Sequence, residues 1–194
     1  MDKNTLYQIY LSELLEWNQK FNLTSITDPA AIQIKHFEDS LTILKVVDLK
    51  DQRVVDVGSG AGFPGIPLKI ERPEIKLTLV EATCKKINFL KALVKKLGLT
   101  DIEIIWDRAE KINQDPKYKG KFDLALARAV AKLDKLVGYC LPFLKPGGIF
   151  IAQKGPGVDA EIADAQKNLG IKIKEIKKLT LSNGDQRSLV LIKK

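Results

Sequence analysis

The sequence predicts an α/β fold with a seven-stranded, mostly parallel sheet, an antiparallel last strand and an N-terminal helical addition. Three observations predict it. Five short apolar runs alternate with helix-like stretches after residue 51, which is typical of parallel strands that crossover helices bury on both faces. A glycine-rich turn follows the first of these runs. Near the C-terminus, an Asn-Gly pair between two apolar runs is a strong hairpin signal.

The first 50 residues are predicted to be helical. Apolar residues recur at spacings of three and four over residues 3–20, which indicates an amphipathic helix. Asp28 and Pro29 suit the cap and the first position of a second helix, which we expect to continue to about Val46. We therefore divide the chain into a helical extension, 1–50, packed on a larger domain, 51–194, with both parts forming one compact unit.

The strands of the larger domain are predicted from runs rich in Val, Ile and Leu. Five of these runs should be parallel strands, at 53–58, 76–81, 102–106, 122–128 and 148–154. Helices are predicted over about 64–71, 83–97, 107–113, 131–144 and 157–169. The segments "IKIKEIKKLTL" and "RSLVLIKK" flank the Asn-Gly turn, so we expect the last two strands to be antiparallel neighbours.

Composition and charge favour a globular protein with an anionic partner. The 194 residues are 45% hydrophobic, which argues against disorder, and the net charge is +8. A basic surface attracts polyanions such as nucleic acid, although a lysine-rich protein with no such partner would have the same composition. No apolar run reaches the ~18 residues of a membrane span, and no secretory signal is visible. We therefore expect a cytoplasmic protein with no membrane partner.

The two cysteines do not predict a disulfide framework or a metal site. Cys84 and Cys140 are too few and too widely separated for either, and we expect small buried or half-buried thiols. No metal ligand set is therefore assigned.

The segment "VVDVGSGAGFPGIP" (54–67) is the strongest functional signal from the residues alone. It ends the first predicted strand and opens a helix, and open α/β sheets bind ligands beyond the carboxyl ends of their strands. Glycine permits a tight turn and lets a ligand approach the backbone closely. We therefore predict that Gly58 and Gly60 line a pocket for a nucleoside-containing cofactor. A tight turn without a ligand is the alternative interpretation.

Glu81 and the Phe63-Pro64 pair narrow the choice of cofactor. Glu81 ends the second predicted strand, where an acidic residue accepts hydrogen bonds from ribose hydroxyls or, alternatively, favours the dipole of the next helix. Phe63 and Pro64 stand where a helix N-terminus would hold a pyrophosphate, and Pro64 lacks an amide donor. This argues against a nicotinamide dinucleotide and for a smaller nucleoside such as S-adenosylmethionine.

Several stretches together resemble one family. They are "EWNQKFNLTSI" (16–26), "KHFEDS" (35–40), "VVDVGSGAGFPGIPL" (54–68), "DRAE" (107–110), "LARAVA" (126–131) and "QKG" (153–155). They are similar to the RsmG (GidB) family of bacterial small-subunit ribosomal RNA guanine-N7 methyltransferases, over nearly the whole chain. The resemblance implies a Rossmann-like class I methyltransferase that uses S-adenosylmethionine and methylates N7 of a guanine in 16S ribosomal RNA.

The resemblance also implies partners and site residues. The partner would be 16S ribosomal RNA or the small ribosomal subunit, and we expect a monomer. Cofactor contacts carry over to Gly58, Phe63, Ala109, Glu110 and Arg128, with Glu81 at the ribose position. Many members have arginine where this chain has Lys35, which keeps the charge but loses a planar fork.

Other hypotheses remain beside this one. An S-adenosylmethionine-dependent methyltransferase could act on another RNA or on a small molecule. A nicotinamide-dependent oxidoreductase and a non-enzymatic RNA-binding protein also fit a glycine-rich turn in a basic chain.

The expected chemistry needs no general base, because guanine N7 carries a lone pair and no proton. The chain has one histidine, which agrees with this expectation. His36, Asp39 and Ser40 have helical i, i+3 and i+4 spacing, so we expect them to share a face. That face is either a polar patch over the pocket or a structural tie between the helices and the sheet. We treat His36 as a positioning candidate and not as a base.

Arg128 is the second positioning candidate, at the end of the fourth predicted strand. We expect it to touch the cofactor or to hold the target nucleotide, with a salt bridge to a nearby acid such as Asp123 or Glu110 as the alternative. The candidates for contact with RNA phosphates are Lys35, Arg108 and Lys154, with solvated surface charge as the alternative. The sequence shows no aromatic-rich RNA-binding platform.

Overall fold

The computed structural model describes residues 1–194 and contains one seven-stranded sheet. The strands are β1 Arg53–Val57, β2 Lys76–Glu81, β3 Ile102–Trp106, β4 Phe122–Arg128, β5 Leu144–Lys154, β6 Ile173–Thr180 and β7 Gln186–Lys193, in the order β3-β2-β1-β4-β5-β7-β6. The first five strands pair in parallel, and β7 pairs antiparallel with both β5 and β6. The predicted fold class is therefore confirmed.

The helices flank the sheet and precede it. They are α1 Lys3–Phe21, α2 Pro29–Ile32, α3 Asp39–Leu41, α4 Gly65–Glu71, α5 Cys84–Leu97, α6 Ala109–Ile112, α7 Leu133–Cys140 and α8 Asp159–Leu169. A π-helical segment, Gln33–Glu38, joins α2 to α3, and 3-10 turns cover Thr42–Lys45 and Leu141–Phe143. The helix predicted over 131–144 is shorter than expected because Pro142 has no N–H to continue it.

The N-terminal helices pack on one face of the sheet. The cap of α1 is Asp2, whose carboxylate accepts a hydrogen bond from the Thr5 N–H at 3.1 Å. On its inner face, Tyr10 and Leu14 are fully buried in the same apolar cluster as Val54 of β1. Burying each such side chain contributes roughly 1.5–3 kcal/mol. The division of the chain at residue 50 stays a prediction.

Apolar cores lie on both faces of the sheet. Alternate residues of β1 point to opposite sides, so that Val54 belongs to one core and Val55 to the other. Helices α1, α4 and α5 contribute to the first core, and α7 and α8 to the second. This two-sided burial explains why the strands read as continuous apolar runs.

The carboxyl ends of the parallel strands meet at one edge of the sheet. Gly58 follows β1, while Glu81 and Arg128 end β2 and β4. The chain leaves the central strand β1 in one direction through β2 and returns on its other side as β4, and such a switch point is where open sheets bind ligands. None of the helices has the length and apolarity needed to cross a membrane.

Candidate functional site

A cavity of about 480 Å³ opens at the carboxyl ends of β1, β2 and β4. It is lined by Val57, Gly58, Val80, Glu81, Ala82, Lys86, Asp107, Arg108, Ala109, Glu110, Ala129, Val130, Ala131, Lys135 and Tyr139. Its volume lies within the range of small-molecule sites, and apolar walls alternate with a few charged groups, as in such sites generally. We call it the cofactor cavity, after the ligand that the sequence predicts.

The glycine turn after β1 forms one wall of the cofactor cavity. Gly58 has a φ of +70°, a conformation that residues with a Cβ rarely adopt, and its N–H donates to the Val80 carbonyl at 2.8 Å. Gly58 lines the cavity, as predicted, whereas Gly60 does not. The N–H of Gly60 instead donates to Glu81 Oε2 at 2.9 Å. Gly60 therefore acts on the cavity through the position of the Glu81 carboxylate.

Glu81 is held rigidly in the wall of the cavity. Besides the bond from Gly60, its Oε1 accepts a hydrogen bond from the Thr83 N–H at 2.8 Å. The side chain is buried and lines the cavity. Each carboxylate oxygen has a second lone pair, so Glu81 can still accept hydrogen bonds from two hydroxyl groups. A ribose presents two such hydroxyl groups, so the Glu81 carboxylate is suited to a ribose.

The opposite wall comes from the chain after β3 and from α7. Ala109 is buried and small, which leaves room in the cavity, and Glu110 lies beside it on the rim. Burial and the nearby Glu110 carboxylate raise the pKa of Tyr139, whose side chain also lines the cavity. Sequence reasoning missed Tyr139, because a tyrosine in a crossover helix carries no signal that it faces the site.

The residues present fit S-adenosylmethionine. The Glu81 carboxylate can accept from ribose hydroxyls, and the apolar side chains of Val57, Val80 and Ala109 can pack on a purine. Lys86 and Lys135 lie on the rim and can pair with a carboxylate group. The cavity also carries carboxylates, which favour a positively charged sulfur.

A second recess of about 450 Å³ adjoins the cofactor cavity at Ala129, which lines both. We call it the cationic recess. Its other lining residues are Lys35, His36, Asp39, Arg128, Gln153, Lys154, Gly155 and Arg187. Four of these side chains are cationic and only Asp39 is acidic, so the recess is suited to an anionic or acceptor-rich ligand.

Arg128 is the central side chain of the cationic recess. Its Nη1 lies 3.2 Å from Asp39 Oδ2, and its guanidinium carbon lies 5.0 Å from the centre of the Phe63 ring. The alternative predicted for Arg128, a salt bridge to a nearby acid, does occur, but its partner is Asp39 and not Asp123 or Glu110; Asp123 pairs with Lys145. Burial lowers the pKa of Arg128, and the guanidinium nevertheless remains protonated.

The π-helical turn presents a backbone carbonyl to Arg128. In an α-helix the Asp39 N–H would donate to the Lys35 carbonyl, but here it donates to the carbonyls of Ile34 and His36. The freed Lys35 carbonyl accepts from Arg128 Nη1 at 3.3 Å. Such turns are frequent at functional sites.

Asp39 is shared by two arginines. Its Oδ1 lies 3.3 Å from Arg187 Nε, and its backbone carbonyl accepts from Gln153 Nε2 at 2.8 Å. Arg187 comes from β7, at the far end of the chain, so no spacing in the sequence placed it in the site. Ser40 does not join this cluster: its hydroxyl donates to the His36 carbonyl at 2.6 Å.

His36 is neutral and is hydrogen-bonded through both ring nitrogens. Its Nδ1 lies 3.3 Å from Arg128 Nη2, and because arginine only donates, Nδ1 is the acceptor. The proton therefore sits on Nε2, which donates to Thr24 Oγ1 at 2.8 Å. Burial, followed by the positive charge of Arg128, lowers the pKa of His36 to about 4. The ring stacks on Phe63 with centroids 4.5 Å apart.

Phe63 lies behind the glycine turn and lines neither recess. It is buried, and it stacks on Tyr10 at 5.1 Å as well as on His36. Its observed contacts therefore support Arg128 and His36. A direct contact of Phe63 with the cofactor stays a prediction.

The three predicted RNA contacts differ in how free their charges are. Arg108 is exposed and makes no ion pair, whereas Lys35 lies 3.6 Å from Asp185. Lys154 is largely buried, pairs with Glu161 at 2.7 Å and donates to the Ala131 carbonyl. Its charge is already compensated, so its observed role is to shape the cationic recess.

Comparison with known proteins identifies similar sequences. A family model described as "GidB: rRNA small subunit methyltransferase G" matches residues 3–190. A protein of Desulforamulus reducens called ribosomal RNA small subunit methyltransferase G is 49% identical over 97% of this chain and 80% of its own length. A protein of Thermoanaerobacter pseudethanolicus with the same name is 48% identical over the same shares.

Solved structures share the fold at low sequence identity. A SAM dependent methyltransferase from Aquifex aeolicus superposes with a TM-score of 0.63 at 16% identity, covering 99% of both chains. Geranyl diphosphate C-methyltransferase from Streptomyces coelicolor has a TM-score of 0.63 at 15% identity, covering 80% of this chain and 75% of its own. These similarities concern the fold alone.

Proposed function

This chain belongs to the GidB family, rRNA small subunit methyltransferase G, and we propose that it transfers a methyl group from S-adenosylmethionine to N7 of a guanine in 16S ribosomal RNA. The single observation that carries the proposal is the junction of the two recesses at Ala129. A cavity suited to the cofactor thereby opens directly onto a cationic recess suited to a nucleotide.

The cofactor cavity supplies half of the reaction. S-adenosylmethionine, when bound, supplies a methyl group activated by a positively charged sulfur. Glu81 would orient the ribose, and Gly58 would let the ligand lie close to the backbone. Ala109 and Glu110, together with Tyr139, would hold the purine side of the cavity.

The cationic recess supplies the other half. Guanine presents two acceptors, N7 and O6, on one edge, and its phosphate is anionic. Asp39 holds Arg128 by an ion pair, so the guanidinium is fixed before any ligand arrives. We assign Arg128 to positioning of the target nucleotide through O6 or a phosphate, because a cation at N7 itself would oppose the positive charge that develops on the purine.

No side chain needs to remove a proton in this reaction. The N7 lone pair forms the new bond to the methyl carbon, and the electron pair of the broken carbon–sulfur bond stays on sulfur. Positive charge moves from sulfur to the purine. His36 is neutral and hydrogen-bonded on both nitrogens, which suits a positioning role and not that of a base.

The charge of the protein supports an RNA partner. The net charge is +8, whereas residues 1–50 contribute −2. The larger predicted domain is thus the basic part of the chain, and it carries both recesses apart from the side chains of residues 35–39. We further propose that the protein acts as a monomer, in the cytoplasm, on 16S ribosomal RNA or on the small ribosomal subunit.

The test is methyl transfer from tritium-labelled S-adenosylmethionine to small ribosomal subunits from cells that lack this activity, followed by mapping of the labelled base. We expect label on N7 of one guanine of 16S ribosomal RNA. Arg128→Lys keeps the charge but loses the two-pronged geometry, and it should reduce transfer by about tenfold or more.

The control for Arg128→Lys is Arg53→Lys. Arg53 is the first residue of β1, at the end of the strand away from both recesses, so this variant should transfer methyl groups at the wild-type rate. Label on another RNA, on a small molecule or on no substrate would overturn the proposed reaction.

A further inference from the structure

Trp106 is exposed at the edge of the sheet where both recesses lie. Its side chain is 60% exposed, more than any other large apolar side chain except the terminal Met1. Leaving an indole in water forgoes the roughly 1.5–3 kcal/mol that burial of a large apolar side chain contributes. Single exposed apolar side chains are common on protein surfaces, so exposure alone does not indicate a partner for Trp106.

The exposed ring is held in one orientation. Trp106 is the last residue of β3 and pairs with Glu81 in the sheet, and its Nε1 donates a hydrogen bond to the Ala82 carbonyl at 3.1 Å. A group that binds to a ring fixed in this way loses little side-chain freedom on binding. Trp106 is thus a preorganised flat surface.

The ring stands beside the cofactor cavity and outside it. Trp106, Ala82, Asp107 and Arg108 line an open recess of about 430 Å³. Of these four residues, three also line the cofactor cavity, and Trp106 does not. A ligand on the indole would therefore lie beside the purine side of the cofactor cavity, at the side away from Ala129.

The charges around Trp106 suit an anionic partner. Arg108 is exposed and free of ion pairs, and Lys86, near the start of α5, lines the same cofactor cavity as Arg108. Asp107, the acidic residue that lines this recess with Trp106, is paired with Lys111 at 2.8 Å. Because that carboxylate is compensated, the guanidinium of Arg108 is the one uncompensated charge among the four residues that line the recess. An aromatic face with adjacent cations is the usual surface for unpaired nucleotides.

We propose that Trp106 and Arg108 form a platform for an unpaired nucleotide of the RNA substrate. The base stacks on the indole and its phosphate contacts Arg108. The proposal rests on the proposed function in that it takes RNA to be the substrate. It adds a recognition surface whose indole lies outside both recesses, and it limits the substrate to RNA that is single-stranded where it contacts Trp106.

The first experiment measures binding by the fluorescence of Trp106. In a Trp17→Phe variant Trp106 is the only tryptophan, and Trp17 itself packs on Phe21 and Phe89, where phenylalanine can replace it. Titration with single-stranded poly(A) should quench the emission, whereas an RNA duplex of the same length should quench it much less. Equal responses to both RNAs, or no response, would overturn the platform.

The second experiment separates stacking from cofactor binding. Trp106→Ala should raise the Kd for protein-free 16S ribosomal RNA about tenfold, and Trp106→Phe should recover most of the affinity. Arg108→Gln should weaken RNA binding and reduce the salt dependence of that binding. Arg53→Gln serves as the charge control, because Arg53 lies at the amino end of β1, away from Trp106. The affinity of Trp106→Ala, Trp106→Phe and Arg53→Gln for S-adenosylhomocysteine should stay at the wild-type value, because neither Trp106 nor Arg53 lines the cofactor cavity.

The outcomes distinguish this proposal from the proposed function. A Trp106→Ala variant that loses S-adenosylhomocysteine and keeps RNA would overturn the platform and assign the indole to the cofactor. If the wild-type protein transfers no methyl group but Trp106 still binds unpaired RNA as expected, the platform is supported and the proposed reaction fails.

Discussion

Asp39 and Arg128 form an ion pair of 3.2 Å across the boundary between the N-terminal helices and the sheet. Both side chains are largely buried, and Asp39 also lies 3.3 Å from Arg187 of β7. One carboxylate thus joins a helical segment to two strands that are not adjacent in the sheet. The arrangement fixes Arg128 at the junction of the two recesses, and it makes the position of the arginine depend on Asp39.

Asp39→Asn should therefore impair both stability and transfer. The substitution removes the counter-charge of the largely buried Arg128 and leaves Arg187 with Asp185 alone, and breaking a buried pair costs about 3 kcal/mol. We expect a lower free energy of unfolding in urea, together with a loss of methyl transfer that stabilising osmolytes do not restore, because Arg128 is no longer held in place.

Asp185→Asn is the matched control for Asp39→Asn. Asp185 pairs with Lys35 at 3.6 Å and with Arg187 at 3.7 Å, at a partly exposed position. Its loss should cost less than about 1 kcal/mol and leave transfer nearly unchanged. Equal effects of the two substitutions would mean that burial of the Asp39 pair has no special role.

Glu81→Gln should weaken cofactor binding. The two oxygens of Glu81 accept the N–H groups of Gly60 and Thr83, so one N–H must face the amide group of the glutamine. Loss of such charge-assisted bonds, and of a ribose acceptor, costs about 1–3 kcal/mol. Calorimetry should show the Kd for S-adenosylhomocysteine raised about tenfold or more.

Glu103→Gln tests whether loss of any carboxylate on the sheet weakens cofactor binding. Glu103 lies on β3, where it bonds Lys117 and Tyr118 away from the cofactor cavity. We expect its Kd for S-adenosylhomocysteine to match that of the wild-type protein. A Glu81→Gln variant with unchanged affinity would remove Glu81 from the cofactor site.

The pH dependence of stability should report the neutral state of His36. Its pKa is about 4 in the folded protein and 6.5 as a free side chain, so between these values the unfolded chain binds a proton that the folded chain does not. The contribution of His36 is therefore retained above pH 6.5 and lost as the pH falls towards 4. Relative to His36→Gln, the wild-type protein should lose about 2 kcal/mol between pH 7 and pH 4.5.

The comparison with His36→Gln is needed because Asp56 titrates in the same range. Burial raises the pKa of Asp56 to about 7, so its protonation favours the folded state as the pH falls from 7, opposite to the effect of His36. Urea denaturation of both proteins at each pH cancels this shared contribution. Identical pH profiles would show that His36 titrates normally in the folded protein.

Features that depend on residues close together in the sequence could be predicted from it, whereas features that depend on residues far apart in the sequence could not. The strands and the hairpin follow from apolar runs and from Asn-Gly, and Gly58 and Glu81 follow from their places at the ends of strands. In contrast, Arg187 reaches Asp39 only because β7 inserts between β5 and β6. A pattern of residues along the chain carries no such information.

Trp106 and the segment 33–38 show two further limits. "IEIIW" predicts a buried strand, yet Trp106 is exposed, because β3 is an edge strand. The spacing of His36, Asp39 and Ser40 assumes a regular α-helix. At the π-helical turn, His36 and Asp39 both contact Arg128, whereas the Ser40 hydroxyl donates a hydrogen bond to the His36 carbonyl.

Gly58→Ala should reduce cofactor affinity by more than its backbone strain explains. Gly58 has a φ of +70°, and an added Cβ would lie 2.5 Å from Cγ2 of Val130, which itself lines the cofactor cavity.

Gly98→Ala is the control for backbone strain, since Gly98 has a φ of +64° and open space around its Cβ position. Each variant should lose about 1 kcal/mol of stability from the left-handed conformation. Only Gly58→Ala should also push Val130 into the cavity and weaken S-adenosylhomocysteine binding in calorimetry. Wild-type affinity in that variant would show that the glycine turn serves the fold and not the ligand.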